Sequence, residues 1–324
     1  MKLKFEKWHG CKNDFIVMHV AANDKLTLSS LRRRAPEICS RRGDGIGADG
    51  LIILHPVNKL DVMPADMTII NSDGSQAAIC GNGIRCAALS NLRAWRERGN
   101  PHDKPDNIAF SIAASSGESR QVLCQFLGGL QGRLVDGSWP MVSVDMGEAR
   151  VGRDLSWAGS IEGILKSAVD SLKLGSRIDS WELCDIGNPH IVIFSESADR
   201  ELIRGIGPAL QKGAADWDGV NVHVVRRESL ENRVKASAAQ FLGACSESAY
   251  KAWTWERGAG ETQACGSGAC AIALAAIAGG DAGRDGWISV EMPGGRLFAR
   301  QDSAEDSVLL AGPGQFVFDG TLDF

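Results

Sequence analysis

Two stretches of the chain carry an apolar pattern that predicts helices. In "CGNGIRCAALSNLRAWRERGNP" (80–101), apolar residues recur every three to four positions from Ile84 to Trp95, the spacing of one helix face. A glycine and a proline then end the pattern. The second stretch, "ACAIALAAIAGG" (269–280), is apolar on every side. A helix of that kind has to be buried all round.

Short β-branched runs elsewhere in the chain predict strands. The clearest are "MVSVDMG" (141–147), "HIVIF" (190–194), "VNVHVV" (220–225), the hairpin pattern "WISVEMPGGRLFAR" (287–300), and "VLLAGPGQFVFDGTL" (308–322), which reads as two strands broken by Gly-Pro-Gly. Three polar or mixed segments, 95–108, 151–181 and 226–250, are predicted to be surface excursions, with a weak helical pattern in the last.

The chain also contains an internal repeat. "GCKNDFIVM" (10–18) resembles "GNPHIVIF" (187–194), and "DGSQAAICGNG" (73–83) resembles "GAGETQACGSG" (258–268). Each half therefore supplies an asparagine, a strand, a Cys-Gly-x-Gly turn and a helix in the same order. Two homologous halves predict pseudo-twofold symmetry, with one cysteine on each side of a cleft.

Length, charge and cysteine content narrow the class of protein. The 324 residues suggest about two domains, and a net charge of −5 without a basic patch argues against nucleic-acid binding. No apolar run reaches the ~18–20 residues of a membrane span. The start, "MKLKFEKWHG", lacks the apolar core of a signal peptide, and the nine cysteines are an odd number. We therefore expect a cytoplasmic protein with no membrane partner and no disulfide framework.

A cysteine that precedes Gly-x-Gly and a helix has a chemical rationale. The first turn of a helix has unpaired N–H groups and a partial positive charge, so a thiol there is expected to have a lowered pKa. Two such thiols, Cys80 and Cys265, suit the inversion of a carbon stereocentre, in which one removes a proton and the other delivers one. Buried core cysteines, a metal site and disulfide exchange remain alternatives, although the spacings to Cys86 and Cys270 are poor zinc patterns.

Taken together, these motifs resemble those of a known family. The chain resembles diaminopimelate epimerase, and the matching stretches follow the family's order. They are "HGCKNDF" (9–15), "GIGADG" (45–50), "NSDGSQAAICGNGIRC" (71–86), "VDMGEA" (144–149), "GNPH" (187–190), "VN" (220–221), "ERGAGETQACGSGAC" (256–270) and "GPGQFVFDG" (312–320).

The resemblance implies an α/β (α+β) fold of two pseudo-symmetric halves. Each half would have strands curled around a central helix, and the active site would lie in the cleft between them. It places residues 1–140 and 313–324 in the N-terminal half with Cys80, and residues 141–312 in the C-terminal half with Cys265. It also implies that the protein acts without metal, pyridoxal phosphate or nucleotide, and the chain has no P-loop.

The resemblance assigns roles to individual residues. Cys80 and Cys265 match the two acid/base residues, and His190 and Glu256 match residues that tune the thiols. The matches to substrate-binding positions are Asn13, Asn71, Gly81, Asn82, Asn188, Asn221, Glu256, Arg257, Gly266 and Ser267.

Several positions and one segment depart from the family's pattern. Gly50 stands where glutamine is common, and Cys11 and Lys12 stand where leucine and glycine are common. The segment between Asn221 and Glu256 is longer than usual. Because Tyr250 is the one tyrosine, a tyrosine contact that links dimers near the C-terminus of relatives cannot be carried over, and a homodimer stays open.

These observations predict a cofactor-independent epimerase that converts LL-2,6-diaminopimelate to the meso form, in lysine and cell-wall precursor synthesis. Its partner would be a small-molecule amino-acid substrate. One rival is a racemase of another amino acid, such as histidine, on the same scaffold. A ligand-binding paralogue without catalysis and a redox sensor are rivals of other classes.

Overall fold

The chain forms two compact units. The computed structural model describes residues 2–21, 24–55, 65–77, 79–97, 107–113, 119–127, 141–214, 219–229, 231, 238, 241–284, 286–301 and 307–323. One unit comprises Met1–Asp145 with Gly312–Phe324, and the other comprises Met146–Ala311. The sequence placed these divisions at 140/141 and 312/313.

Both units contain helices set between runs of strands. The first unit contains β1 (Lys2–Gly10), β2 (Asn13–His19), α1 (Lys25–Ile38), β3 (Gly50–Leu54), β4 (Ala65–Asn71), β5 (Gln76–Ala77), α2 (Gly81–Glu97), β6 (Asn107–Ala113), β7 (Ser119–Leu127) and β8 (Met141–Glu148), which runs past the division. The second contains β9 (Arg150–Val151), α3 (Ala158–Ser171), a 3-10 turn (Gly175–Arg177), β10 (Ser180–Asp185), β11 (Pro189–Phe194), α4 (Arg200–Gly213), β12 (Asn221–Ser229), β13 (Cys245–Glu256), β14 (Gly260–Thr262), α5 (Gly266–Ala278), β15 (Trp287–Met292), β16 (Gly295–Gln301) and β17 (Ser307–Gly312). The chain then returns to the first unit with β18 (Gln315–Asp323).

The strands of the two units pair in the same pattern. The order is β18-β1-β2-β3-β4-β6-β7-β8 in the first unit and β9-β10-β11-β12-β13-β15-β16-β17 in the second. In each, the third and fifth pairings are parallel and the others antiparallel, while β5 and β14 add a short antiparallel partner to β4 and β13. The predicted α+β class with two halves of the same build is confirmed.

The repeat extends to single residues. In the first unit Phe15 of β2 lies opposite Gly50 of β3, and in the second His190 of β11 lies opposite Asn221 of β12. Phe15 follows Asn13 by two residues, and His190 follows Asn188 by two residues. Gly50 and Asn221 therefore occupy equivalent places in the two units.

In the second unit, the two faces of the sheet have different neighbours. Ile191 and Ile193 of β11 and Val224 of β12 are fully buried in a cluster with residues of α3 and α4. Because successive side chains of a strand point to opposite faces, His190 and His223 lie on the other face. That face meets α5, since a Cβ built on Gly268 would lie 2.4 Å from the His223 ring.

Both predicted helices form where the apolar pattern places them. Every residue of α2 from Gly81 to Ser90 is buried, and α5 is buried from Gly268 to Ala276. The all-apolar sequence of α5 is thereby explained. Among the described residues, no helix is long and apolar enough to cross a membrane.

Two of the predicted surface excursions are wrong in part. Segment 151–181 contains α3, whose Ile161 and Leu165 are buried in the core of the second unit at a helical spacing of four residues. Segment 226–250 contains the end of β12 and the start of β13, which pair with each other. Segment 95–108 is described only at its ends, which belong to α2 and β6.

Candidate active site

Cys265 caps the N-terminus of α5. Its extended backbone (φ −124°, ψ 115°) turns the side chain back over the helix start, where Sγ accepts a hydrogen bond from the Gly268 N–H at 3.3 Å. The Ser267 hydroxyl lies 3.6 Å from the same sulfur. Gly266 and Ser267 begin the helix, where backbone N–H groups have no partner within the helix and suit an anion.

The expected lowering of the thiol pKa is wrong for Cys265. The side chain is 3% exposed, and burial raises its pKa well above the ordinary value, with the Glu256 carboxylate as the next cause. The bonds from Ser267 and Gly268 act in the opposite direction but are the smaller causes. Burial of the charged form thus outweighs the helix N-terminus and favours the thiol form of Cys265.

Glu256 lies at the end of β13 beside this thiol. Its Oε1 accepts a hydrogen bond from the Thr262 hydroxyl at 2.5 Å. The Glu256 carboxylate raises the pKa of the Cys265 thiol and so favours the protonated form, while its predicted tuning role stays a prediction.

His190 is fully buried in a hydrogen-bonded chain. Its Nε2 lies 2.9 Å from Asn188 Oδ1, and its Nδ1 lies 2.8 Å from His223 Nε2. His223 Nδ1 in turn lies 3.0 Å from the Thr254 hydroxyl. One ring nitrogen of His190 therefore contacts Asn188, a predicted substrate-binding residue. The other ring nitrogen contacts His223.

Asn221 lies next to this chain and orders the backbone after β13. Its amide donates to the Pro189 carbonyl at 3.2 Å and accepts from the Arg257 N–H at 3.0 Å. Asn221 is 4% exposed, whereas the Arg257 residue is exposed. In the structure Asn221 holds the turn that carries the exposed residue Arg257.

In the first unit, Cys80 lies immediately before α2 and is partly buried. Its thiol donates to Asn13 Oδ1 at 3.8 Å, and the buried Asn82 amide donates to the same oxygen at 3.2 Å. The Asn13 amide nitrogen donates to Asp49 Oδ2 at 2.7 Å. Three of the predicted site residues therefore meet at one oxygen, and Asp49 decides which way the Asn13 amide faces.

A buried cation lies one turn into α2. Arg85 is fully buried, and its guanidinium donates to Asn82 Oδ1 at 2.9 Å and to the carbonyls of Gly81 and Pro313 at 3.3 Å each. The corresponding turn of α5 has Cys270 at this place. The first unit thus has a positive charge behind its helix start, while the second has Glu256 beside its thiol.

The remaining predicted ligand of the first unit is less enclosed. Asn71 ends β4, is exposed, and donates to the Ser75 hydroxyl at 2.9 Å. Gly50, opposite Asn71, could not carry a side chain without movement, because a Cβ there would lie 2.7 Å from the Ile70 carbonyl oxygen. No side chain from position 50 is available to a substrate.

The structure adds residues that the sequence did not single out. His223 and Thr254 complete the chain behind His190, Asp49 orients Asn13, and Arg85 binds Asn82. A signal for His223 exists in the sequence, since "NPH" and "NVH" repeat Asn-x-His at 188–190 and 221–223. Asp49, by contrast, is 36 residues from Asn13 and only the pairing of β2 with β3 brings them together.

Metal ligands do not converge in the described part of the chain. No group of three or more His, Cys, Asp and Glu side chains there could hold an ion. All nine cysteines are free in the structure.

Known proteins resemble this chain over nearly its whole length. A sequence model described as diaminopimelate epimerase matches residues 5–103 and 183–317. The chain belongs to the diaminopimelate epimerase family. It is 30% identical to the diaminopimelate epimerase of Bacillus pumilus and 33% identical to that of Carboxydothermus hydrogenoformans, each over 98% of both chains.

Solved structures share the fold of this diaminopimelate epimerase family member at low sequence identity. A PhzF-family phenazine biosynthesis protein of Bacillus anthracis has a TM-score of 0.62 at 13% identity and full coverage of both chains. A probable proline racemase of Agrobacterium radiobacter has a TM-score of 0.58 at 14% identity, with coverage of 99% of this chain and 93% of that one. Membership of the diaminopimelate epimerase family makes the protein an isomerase.

Proposed function

We propose that the protein inverts one stereocentre of LL-2,6-diaminopimelate to give the meso form, with Cys80 and Cys265 as the acid/base pair. The observation that carries the proposal is the repeat. Both units place a cysteine at the start of a buried helix, and in both an asparagine stands at or immediately before the start of the equivalent strand, β2 or β11, earlier in the chain. Inversion of a carbon needs two proton-transfer groups of similar kind, and this arrangement supplies two.

The proton balance is simple. In the reacting form, Cys80 has given the thiol proton that it donates to Asn13 Oδ1 to solvent. The resulting Cys80 thiolate takes the α-proton of the substrate and becomes a thiol, leaving a carbanion. The Cys265 thiol then gives its proton to the opposite face of that carbon and becomes a thiolate. The raised pKa of Cys265 supports its role as the proton donor in this direction. In the reverse direction the two roles exchange.

The carbanion requires stabilisation because an amino acid's α-proton is much less acidic than a thiol. N–H groups at the starts of α2 and α5 are donors that suit a carboxylate, including those of Gly81, Asn82, Gly266 and Ser267. Asn13 and Asn188 supply amide groups, and Arg257 supplies a guanidinium for a second carboxylate. The reaction serves lysine and cell-wall precursor synthesis in this proposal.

The test follows the α-proton of LL-diaminopimelate in D2O by NMR. We expect deuterium at the inverted carbon as meso product forms. Cys80→Ala and Cys265→Ala are each expected to slow this by at least ~100-fold, because each leaves one face without its acid or base. Cys245→Ala, in a half-buried cysteine at the start of β13, is the matched control and should retain the wild-type rate.

One outcome contradicts the two-thiol mechanism directly. If either active-site variant kept more than about a tenth of the wild-type rate at saturating substrate, the loss would be too small for an acid/base residue.

A racemase of another amino acid is the second candidate. Gly50 favours keeping it, because position 50 lacks the glutamine that the family resemblance leads us to expect, and a Cβ there would lie 2.7 Å from the Ile70 carbonyl oxygen. Faster α-proton exchange in histidine than in diaminopimelate would support this candidate and leave the roles of both cysteines unchanged.

A further inference from the structure

A chain of four hydrogen-bonded side chains lies behind the first turn of α5. It runs from Thr254 through His223 and His190 to Asn188, with separations of 3.0, 2.8 and 2.9 Å between the polar atoms. His223 also packs on the helix, because the place where a Cβ of Gly268 would lie is only 2.4 Å from its ring. Thr254, His223 and His190 are each at most 2% exposed.

With the Asn188 amide oxygen placed against His190 as in the structure, the chain has one consistent direction. Asn188 Oδ1 can only accept, so His190 Nε2 carries the proton and His190 Nδ1 does not. That bare nitrogen accepts from the N–H at His223 Nε2. His223 Nδ1 is then bare and accepts the hydroxyl proton of Thr254. Both imidazoles are neutral in this arrangement, in agreement with burial, which lowers the pKa of both.

The fold does not require polar residues at these places. In the first unit the equivalent positions on β2, β3 and β4 are Phe15, Ile52 and Ile69, paired in the same register. There Gly83 of α2 packs on Phe15 and Ile52. The same helix-on-sheet contact is therefore built from apolar side chains in one unit and from a directed polar chain in the other.

We propose that His223 is a positioning residue that holds His190 in its Nε2-protonated form and thereby fixes the Asn188 amide. With Oδ1 held by His190, the amide nitrogen of Asn188 faces away and is left to donate to an acceptor, which we assign as a carboxylate of the substrate. The identity of that substrate rests on the proposed function. The hydrogen-bond chain itself does not.

Three substitutions separate the hydrogen bond from packing. His223→Gln keeps an N–H donor near His190 Nδ1, His223→Leu fills the space without a donor, and Thr254→Val removes only the far end of the chain. Because Asn188 binds the carboxylate before and during the reaction, loss of its orientation should raise KM more than it lowers kcat.

We expect kcat/KM for LL-diaminopimelate to fall about ten- to a hundredfold in His223→Leu, the size expected for a misplaced hydrogen bond to a charged group. His223→Gln should stay within about threefold of wild type, and Thr254→Val should fall between the two. The control is Val224→Ala, on the same strand but in the core against α3 and α4. It should lower stability and leave kcat/KM unchanged.

A second measurement needs no substrate. In protein labelled with 15N-histidine, the ring nitrogens of His190 should report a bare Nδ1 and a protonated Nε2 in the wild type and in His223→Gln, and a changed pattern in His223→Leu. If the wild-type protein did not act on diaminopimelate, the proposed function would be wrong. The spectrum would still show whether His223 holds His190 in its Nε2-protonated form.

The proposal is overturned if His190 carries its proton at Nδ1 in the wild type. It is also overturned if His223→Leu retains wild-type kcat/KM and His190 signals, or if His223→Gln is as impaired as His223→Leu, which would make packing the cause. Should His223→Leu fail to fold, the comparison of Thr254→Val with His223→Gln gives the same decision, because both preserve the shape of the site.

Discussion

At the scale of single residues, the third residue of each buried helix decides how closely the helix lies on its sheet. A Cβ on Gly268 would lie 2.4 Å from His223 Cε1, in a ring held at both nitrogens. A Cβ on Gly83 would meet only the Ile52 terminal methyl at 3.2 Å and the Phe15 ring at 3.4 Å. Glycine is therefore more strongly required at position 268 of α5 than at position 83 of α2.

Gly268→Ala is expected to lower the free energy of unfolding by about 2 kcal/mol, the range of overpacked cores, because a rigid ring has to move. Gly83→Ala should cost less than about 1 kcal/mol, since the end of an isoleucine can turn aside. Urea unfolding of both variants makes the comparison. Equal losses would contradict the view that His223 is held in place by its hydrogen bonds.

The turn before Asn13 carries strain. Cys11 and Lys12 have positive φ values of 53° and 65°, in the left-handed region that favours glycine. Such a conformation costs roughly 1–2 kcal/mol of folding free energy in a residue with a side chain. Substitution by glycine relieves that strain, but the greater freedom of glycine in the unfolded chain offsets about 0.4–1 kcal/mol of the gain in stability. Lys12 is exposed, which agrees with a solvated surface lysine.

Lys12→Gly is therefore expected to raise the free energy of unfolding by about 0.5–1 kcal/mol without changing kcat. Lys173→Gly is a matched control, because Lys173 has a φ of 56° just after α3 and should respond alike. Thermal unfolding and activity of both variants test this. A loss of activity in Lys12→Gly alone would instead assign its cation to substrate binding.

At the scale of elements, β11 and β12 carry two buried imidazoles whose charge is suppressed. Burial lowers the pKa of His223 to about 3, and burial, then His223, then Arg257 lower that of His190 well below 6.5. Both groups stay neutral in the folded protein while the unfolded chain binds protons below pH 6.5. Their contribution to stability is thus complete above pH 6.5 and is lost progressively as the pH falls from 6.5 toward 3.

This predicts that the free energy of unfolding falls between pH 7 and pH 5 by up to about 1.4 kcal/mol per pH unit for each histidine. His223→Leu removes one of the two groups, so its slope should be smaller by about 1 kcal/mol per pH unit. Urea unfolding at pH 7, 6 and 5 measures both slopes. Parallel slopes would show that His223 is already protonated in the folded state.

At the scale of the whole molecule, two units of the same strand pattern differ in the chemistry of their helix starts. The first has Arg85 behind Asn82 and an apolar interior at Phe15 and Ile52. The second has Glu256 beside Cys265 and the polar chain behind Asn188. The two units thus share a backbone arrangement, while the charged side chains near their helix starts differ, with Arg85 in the first and Glu256 in the second.

Polar anchors in both units predict selectivity for a substrate with polar groups at both ends. We expect α-proton exchange in D2O with diaminopimelate and little with lysine, alanine or histidine. Donors built for a second amino-acid head are left unpaired by ligands that lack it, which rejects them. Deuterium incorporation across these four amino acids is the measurement, and exchange in alanine at the diaminopimelate rate would contradict the expectation.

Much of the arrangement was determined by the sequence alone. The two buried helices, the Cys-Gly-x-Gly turns, the strands on either side of Pro293 and Pro313 and the repeat of motifs are local features. Glycine, proline and the period of apolar residues specify them within a dozen residues. The same local reasoning failed for α3, since its buried residues are few and lie among polar ones.

Only the tertiary structure decided the environment of the site. His223 lies 33 residues from His190, and Thr254 lies 31 residues further on, so the register of β11, β12 and β13 brings them together. The protonation of Cys265 was likewise beyond the sequence. A helix N-terminus favours the thiolate, but complete burial beside Glu256 favours the thiol, and burial is a property of the whole fold.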